Sequence, residues 1–141
     1  MPNSSFDEII EDFEFLDDWE DRYRYIIELG KKMSPLESAM KVASTKVDGC
    51  ASQVWIVPKI SGSGEMKLFN FKGDSDAMIV RGLIAILSAL YSNITVKEAN
   101  EIDANAEFRK LGLTDHLSAQ RSNGLRSMIE RLKLIAINEN D

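Results

Sequence analysis

The run Gln53-Val54-Trp55-Ile56-Val57-Pro58-Lys59-Ile60, followed by Ser61-Gly62-Ser63-Gly64 and then by Met66-Lys67-Leu68-Phe69-Asn70-Phe71, is where the chain changes its hydrophobic period. The first segment is rich in Val and Ile. The last alternates Met66, Leu68 and Asn70 against Lys67, Phe69 and Phe71, and the Gly/Ser run between them is a turn signal, so the stretch predicts a β-hairpin. Pro58 lacks an N–H, which predicts an edge position or a bulge for its strand. A further short strand over Ser44 to Val47 is expected beside the hairpin, which would make a small three-stranded antiparallel sheet with Gly49 and Cys50 in the connection.

On both sides of this stretch the period is helical. Ser5 and Glu8 have the spacing of a capping box, and Phe6, Ile9, Ile10 and Phe13 recur at helical intervals. A second helix is expected from near Asp18, with Trp19, Tyr23, Ile26, Ile27 and Gly30 on one face, Lys31 and Lys32 at the cation-favouring end, and Ser34-Pro35 as the break. After the hairpin, Asp74-Ser75-Asp76 is read as the N-cap and acidic first turn of a helix carrying Ile79, Leu83, Ile86, Leu87 and Leu90. Thr95 and Glu98 form another capping box, Leu111-Gly112-Leu113 marks a helix end, and Leu125, Met128, Ile129, Leu132 and Ile135 define a last amphipathic helix. Helices, a small sheet, then helices again is an α+β arrangement rather than a βαβ repeat.

The 141 residues suit one domain, residues 1–141, and 44% hydrophobic with 28% charged residues is an ordinary globular balance. A formal net charge of -6 argues against nucleic acid as a partner, since phosphate contact needs a basic surface. The acidic start of the chain does not resemble a secretory signal, and a single cysteine suits a reducing compartment, so a cytoplasmic protein is expected. The most apolar segment, Ile79 to Tyr91, is interrupted by Arg81 and is shorter than the roughly 20 residues that span a bilayer, so no membrane association is expected.

Cys50, the one cysteine, sits beside the turn residue Gly49. Taken alone, a lone cysteine is more often a small core residue than a nucleophile, although one at a turn can be presented to a partner. One Cys and one His fall short of a metal-ligand set, and Gly62 and Gly64 do not form a phosphate loop, so neither metal nor cofactor is expected. Cys50 with His116 and a carboxylate has the composition of a papain-like triad, which depends on geometry. Asp74 and Asp76 have the chemistry of an acid–base pair, with helix capping the simpler reading. If the last helix starts at Ser118, Arg121 lies in its first turn, where the dipole disfavours a cation by up to about 1 kcal/mol; Gly124 near the same end costs about 1 kcal/mol against Ala. Both invite a reason beyond helix formation, close packing or a local bend in the case of Gly124.

Four segments carry a resemblance: Asp18-Trp19 through Lys32 (DWEDRYRYIIELGKK), Gly49 through Val57 (GCASQVWIV), Gly73 through Leu87 (GDSDAMIVRGLIAIL) and Leu111 through Leu125 (LGLTDHLSAQRSNGL). In this order and over nearly the whole chain they resemble the SufE family of sulfur-acceptor proteins. The resemblance implies a fold like that of IscU-type scaffolds, with a small antiparallel sheet flanked by helices. It implies a transpersulfurase that takes sulfane sulfur from a pyridoxal-phosphate cysteine desulfurase of the SufS or CsdA type. Delivery would be to a SufB-containing iron–sulfur scaffold complex. Cys50 matches the family's persulfide-forming cysteine, while Asp76 and Arg121, with Gly49 and Gln53, match positions near the cysteine loop or the partner surface. A non-catalytic adaptor that stimulates the desulfurase by binding alone is the alternative, and monomer and homodimer are both compatible. The chain departs from the family pattern at Ala51, where Gln is common, and at Ala119 and Gln120, in a stretch that commonly holds Pro.

Overall fold

In the computed structural model residues 4–139 are described. Two helices come first: α1, Ser4–Phe15, and α2, Trp19–Lys32. Asp18 caps α2 by accepting the Asp21 N–H, and the chain leaves the helix at Met33, just before Ser34-Pro35. Ser5 is not a cap, because α1 already includes Ser4; the residue before it lies outside the described residues.

The strands are β1, Val54–Pro58; β2, Leu68–Phe69; and β3, Phe71–Ser75. The expected hairpin is present, but its returning strand is displaced: β1 pairs with Phe71–Ser75 rather than with 66–71, and Met66 ends a short helical turn, Gly64–Met66. Val54 pairs with Ser75 and Pro58 with Phe71, antiparallel, and the same register continues through Lys59 N–H to Asn70 O at 2.6 Å and both hydrogen bonds between Ser61 and Leu68. The turn closes through Gly62 and Gly64, both at positive φ. The three-stranded sheet is not formed. There are instead two two-stranded antiparallel sheets among the described residues, β1 with β3 and β2 with β4 (Ile94–Thr95).

The third strand is lost where the chain turns back on itself between Val42 and Lys46. Beside β1 the segment before Gly49 makes two ladder bonds, Val47 N–H to Val54 O at 2.8 Å and Ile56 N–H to Thr45 O at 2.9 Å. The next bond of that ladder would run from the Thr45 N–H to the Ile56 carbonyl, but the Thr45 N–H is given to the Val42 carbonyl at 3.2 Å, and one pair further on Pro58 has no N–H to offer. The Ala43 carbonyl accepts the Lys46 N–H instead, Thr45 Oγ1 donates to the Met40 carbonyl, and the chain turns away after a single bridge between Lys46 and Trp55.

Helix α3, Met78–Tyr91, packs its apolar face on the sheet and crosses α2. The crossing is close enough that a Cβ on Gly30 would lie 2.6 Å from the Met78 carbonyl, and one on Gly82 would run into the Ile26 carbonyl. Helices α4, Val96–Glu101; α5, Ala104–Lys110; α6, Leu113–His116; and α7, Ala119–Glu139, complete the chain. Thr95 and Glu98 form the expected capping box, and Gly112 sits at φ 75° between α5 and α6. Leu125, Met128, Ile129 and Leu132 of α7 are buried. Among the described residues no helix is long and apolar enough to cross a membrane.

Asp74-Ser75-Asp76 does not begin α3. Asp74 and Ser75 end β3, and α3 starts after Ala77. Asp74 is only 1% exposed and is ion-paired with Arg81, with Lys41 Nζ at 3.3 Å, while accepting the N–H groups of Leu36 (2.9 Å) and Ser75 (2.8 Å). Arg81 in turn donates to the carbonyls of Gly30 and Met33 at the end of α2. Burial alone would raise the Asp74 carboxyl, but the Leu36 and Ser75 N–H groups, Lys41 and Arg81 outweigh it and hold the group below its ordinary range.

A depressed carboxylate gives stability that is complete above the ordinary value of about 4 and is lost as the pH falls through the lower folded-state value. Asp74→Ala is expected to destabilise the fold by about 3 kcal/mol at neutral pH, the scale for stripping one partner from a buried pair. Urea unfolding measures it, and in Asp74→Asn the loss of stability on the acid side should be shallower than in the unaltered chain. An unchanged midpoint in both variants would make the pair dispensable.

Candidate functional site

Cys50 stands on a short loop between the Lys46 bridge and β1, and the loop is fixed at both ends. Gly49 has φ 89°, and a Cβ there would meet Ser127 Oγ of α7 at 2.5 Å, so both backbone and space demand glycine. At the other end Asp76 Oδ1 accepts the Gln53 N–H at 3.0 Å, and Gln53 O accepts the Asp76 N–H at 3.3 Å. The expected loop residues Gly49, Gln53 and Asp76 are therefore gathered around Cys50, and Asp76 ties the loop rather than capping α3.

The thiol is half-buried and faces the first turns of α7, where it donates to the Gly124 carbonyl at 3.5 Å. A methyl group on Gly124 would lie 3.7 Å from the sulfur, an ordinary contact, so packing does not require this glycine. Its missing side chain leaves open space against the sulfur. The helix starts as expected, with Ser118 Oγ accepting the Arg121 N–H at 3.2 Å, which puts Arg121 in the first turn.

Cys50 and Arg121 line one cleft of about 270 Å³. Val54, Val80, Leu83, Leu125 and Met128 supply its apolar wall, while Ser52, Ser118 and Gln120 supply polar groups. Arg121 is the one charged residue on this lining, and among the described residues its guanidinium has neither ion pair nor hydrogen bond. Burial pushes the Cys50 thiol above its ordinary value, and the nearby Asp48 carboxylate adds to the shift. Both effects favour the protonated thiol over the thiolate.

His116 is not part of this cleft. Its ring stacks on Trp19 at 3.9 Å, its Nδ1 lies 3.0 Å from the Gly112 carbonyl, and its own carbonyl accepts the Tyr23 hydroxyl. The papain-like arrangement is thus absent, and His116 joins α6 to α2. Among the described residues no group of three His, Cys, Asp or Glu is gathered to hold a metal ion. Two contributors were not read from the sequence. Arg81, which fixes β3 and so Asp76, was signalled by its place inside an apolar run; Ser127, which receives Gly49, carried no signal.

The single thiol of this small α+β fold is half-buried and shares its cleft with Arg121, which has no partner among the described residues. The chain belongs to the SufE family: the family model described as the Fe–S metabolism associated domain matches residues 7–136. An uncharacterised SufE-like protein of Rhizobium meliloti is 54% identical over 130 residues, covering 92% of this chain and 93% of that one. Another, from Rhizobium etli, is 55% identical over 130 residues, covering 92% and 88%. The solution structure of a hypothetical protein from Thermus thermophilus matches the fold with a TM-score of 0.77 at 17% identity, over 99% of this chain and 98% of that one.

The raised thiol gives a direct test. The alkylation rate of Cys50 should rise with pH along a curve whose midpoint lies above the ordinary thiol value of about 8.5, and Asp48→Asn should move that midpoint down. A midpoint at or below the ordinary value would contradict the shelter described for the sulfur.

Proposed function

We propose that the protein is a transpersulfurase of iron–sulfur cluster assembly, with Cys50 as its sulfur carrier. The observation that supports this most is the sulfur itself: one thiol, half-buried, on a loop anchored at both ends, opening on a cleft that among the described residues is lined by the Arg121 cation and no other charged residue. A resting thiol protected in this way suits a carrier that reacts when its partner draws it out. A resolving cysteine is missing from the sequence, so the loaded sulfur cannot be expelled as an internal disulfide.

The donor is the active-site persulfide of a pyridoxal-phosphate cysteine desulfurase of the SufS or CsdA type. Cys50 gives up its proton as the loop enters the desulfurase pocket, and its thiolate attacks the terminal sulfur of the donor persulfide. One S–S bond forms at Cys50 and the donor's S–S bond breaks, its electron pair returning to the desulfurase thiolate, which takes the proton. The sulfane sulfur changes carrier without net oxidation. Arg121 docks the partner or stabilises the anionic sulfur, whereas Gly49, Gln53 and Asp76 hold the loop. The sulfur then passes to a SufB-containing scaffold complex, in the cytoplasm, where thiols stay reduced.

Incubation with such a desulfurase and free cysteine should add one sulfur to the intact mass, removable by a reductant, and should raise desulfurase turnover. Cys50→Ser should gain none and stimulate little. Full stimulation by Cys50→Ser would replace the carrier with a binding-only adaptor.

A further inference from the structure

The lining of the Cys50 cleft has two chemistries. Val54, Val80, Leu83, Leu125 and Met128 are apolar, whereas Ser118, Gln120 and Arg121 are polar, and the Arg121 guanidinium is unpaired among the described residues. No carboxylate lines it, although the chain carries 23 acidic residues against 17 basic ones. An uncompensated cation in a cleft is a site for an anion, and a guanidinium with nearby hydroxyl and amide donors suits an oxyanion. The apolar wall beside the thiol suits a soft, weakly hydrated atom. At about 270 Å³, against roughly 30 Å³ per molecule of liquid water, the cleft has room for a small tetrahedral anion next to the sulfur.

We infer that this cleft also takes a small oxyanion bearing a sulfane sulfur, of which thiosulfate is the simplest, and that Cys50 is loaded from it without a desulfurase. This rests on the proposed persulfide chemistry of Cys50 and adds a second class of donor. The sulfonate end lies on Arg121, Ser118 and Gln120, which turns the outer sulfur toward the thiol. Cys50 thiolate attacks that outer sulfur and forms the new S–S bond. The S–S bond of thiosulfate breaks with its electron pair departing on sulfite, and the thiol proton ends on the Cys50 persulfide. Thiol and thiosulfate give persulfide and sulfite, so no further oxidant or reductant is required. Arg121 binds the dianion and stabilises the sulfite as it leaves, a role that acts on reacting atoms.

The test uses the full reduced chain in two arms, one with thiosulfate alone and one with a cysteine desulfurase and cysteine. The thiosulfate arm should add one sulfur to Cys50 by intact mass and release an equal amount of sulfite, with sulfate slowing the loading competitively. Arg121→Gln should slow it roughly tenfold or more, the scale of a lost charge-assisted hydrogen bond, and Arg121→Lys should restore part of the rate. Loading from the desulfurase but not from thiosulfate would overturn this inference and leave the proposed function standing. Loading from thiosulfate alone would support it and count against the desulfurase as donor. Equal rates in Arg121→Gln and the unaltered chain, or sulfur gained by Cys50→Ser, would overturn the assignment of the cleft.

Discussion

The contact between Asp74 and Arg81 is where the separate parts of this fold are made to agree. Asp74 is the last but one residue of β3, Arg81 sits a turn into α3, and the guanidinium reaches the carbonyls at the end of α2. A buried ion pair of this kind is stabilising only when the remaining donors and acceptors are satisfied, because removing two charges from water is itself expensive. Here two backbone N–H groups and a lysine complete the carboxylate, while two backbone carbonyls complete the arginine. Asp76, two residues beyond Asp74, is thereby placed where it can hold Gln53. The position of the Cys50 loop follows from a pair that never touches it.

The second constraint comes from α7. Its first turns provide Arg121, the carbonyl that receives the thiol and the open space at Gly124, and its third turn provides Ser127 against Gly49. Helix dipole and side-chain charge oppose each other at Arg121, which costs up to about 1 kcal/mol in an exposed helix. That cost is not relieved by any ion pair among the described residues, so the cation stays available to something that enters the cleft. Gly124 is similar: no steric demand keeps it glycine, and the penalty of glycine in a helix is borne beside the Cys50 sulfur.

Much of this was legible in the sequence, because short-range rules determine it. The existence of the hairpin, the Asp18 cap, the Thr95–Glu98 box and the glycine at residue 112 all depend on neighbours within a few positions. The failures arose where a residue answers to something far away. Asp74 has the local spacing of a helix cap, yet Arg81 and the Leu36 N–H claim it for the strand end. Ser44 to Val47 is the exception: it has strand composition, but the Thr45 N–H turns back to the Val42 carbonyl and the ladder ends after one bridge. For the site, singularity and a turn residue pointed at Cys50, whereas the meeting of Gly49 with Ser127 depends on a helix packing that no local pattern contains.

The loop has a consequence for how the sulfur moves. Gly49 is pinned by backbone conformation and by Ser127, and Gln53 by a pair of hydrogen bonds to Asp76, so only Cys50, Ala51 and Ser52 lie between two fixed points. A segment that short cannot swing outward by bending at its middle; one anchor has to release. The Gly49 anchor is steric and is retained while α7 stays in place, but the Gln53 anchor consists of two exposed hydrogen bonds, one between backbone groups worth about 1 kcal/mol net and one to the Asp76 carboxylate worth about 2. The Asp76 end is therefore the anchor that can release while α7 keeps its place. Ala51, exposed and without a hydrogen-bonding side chain, adds no third tether to that motion. A glutamine in its place, as is common in the family, would have an amide able to hold the loop to either wall. With alanine, the resistance to opening falls on Asp76 and on the weak S–H contact to Gly124.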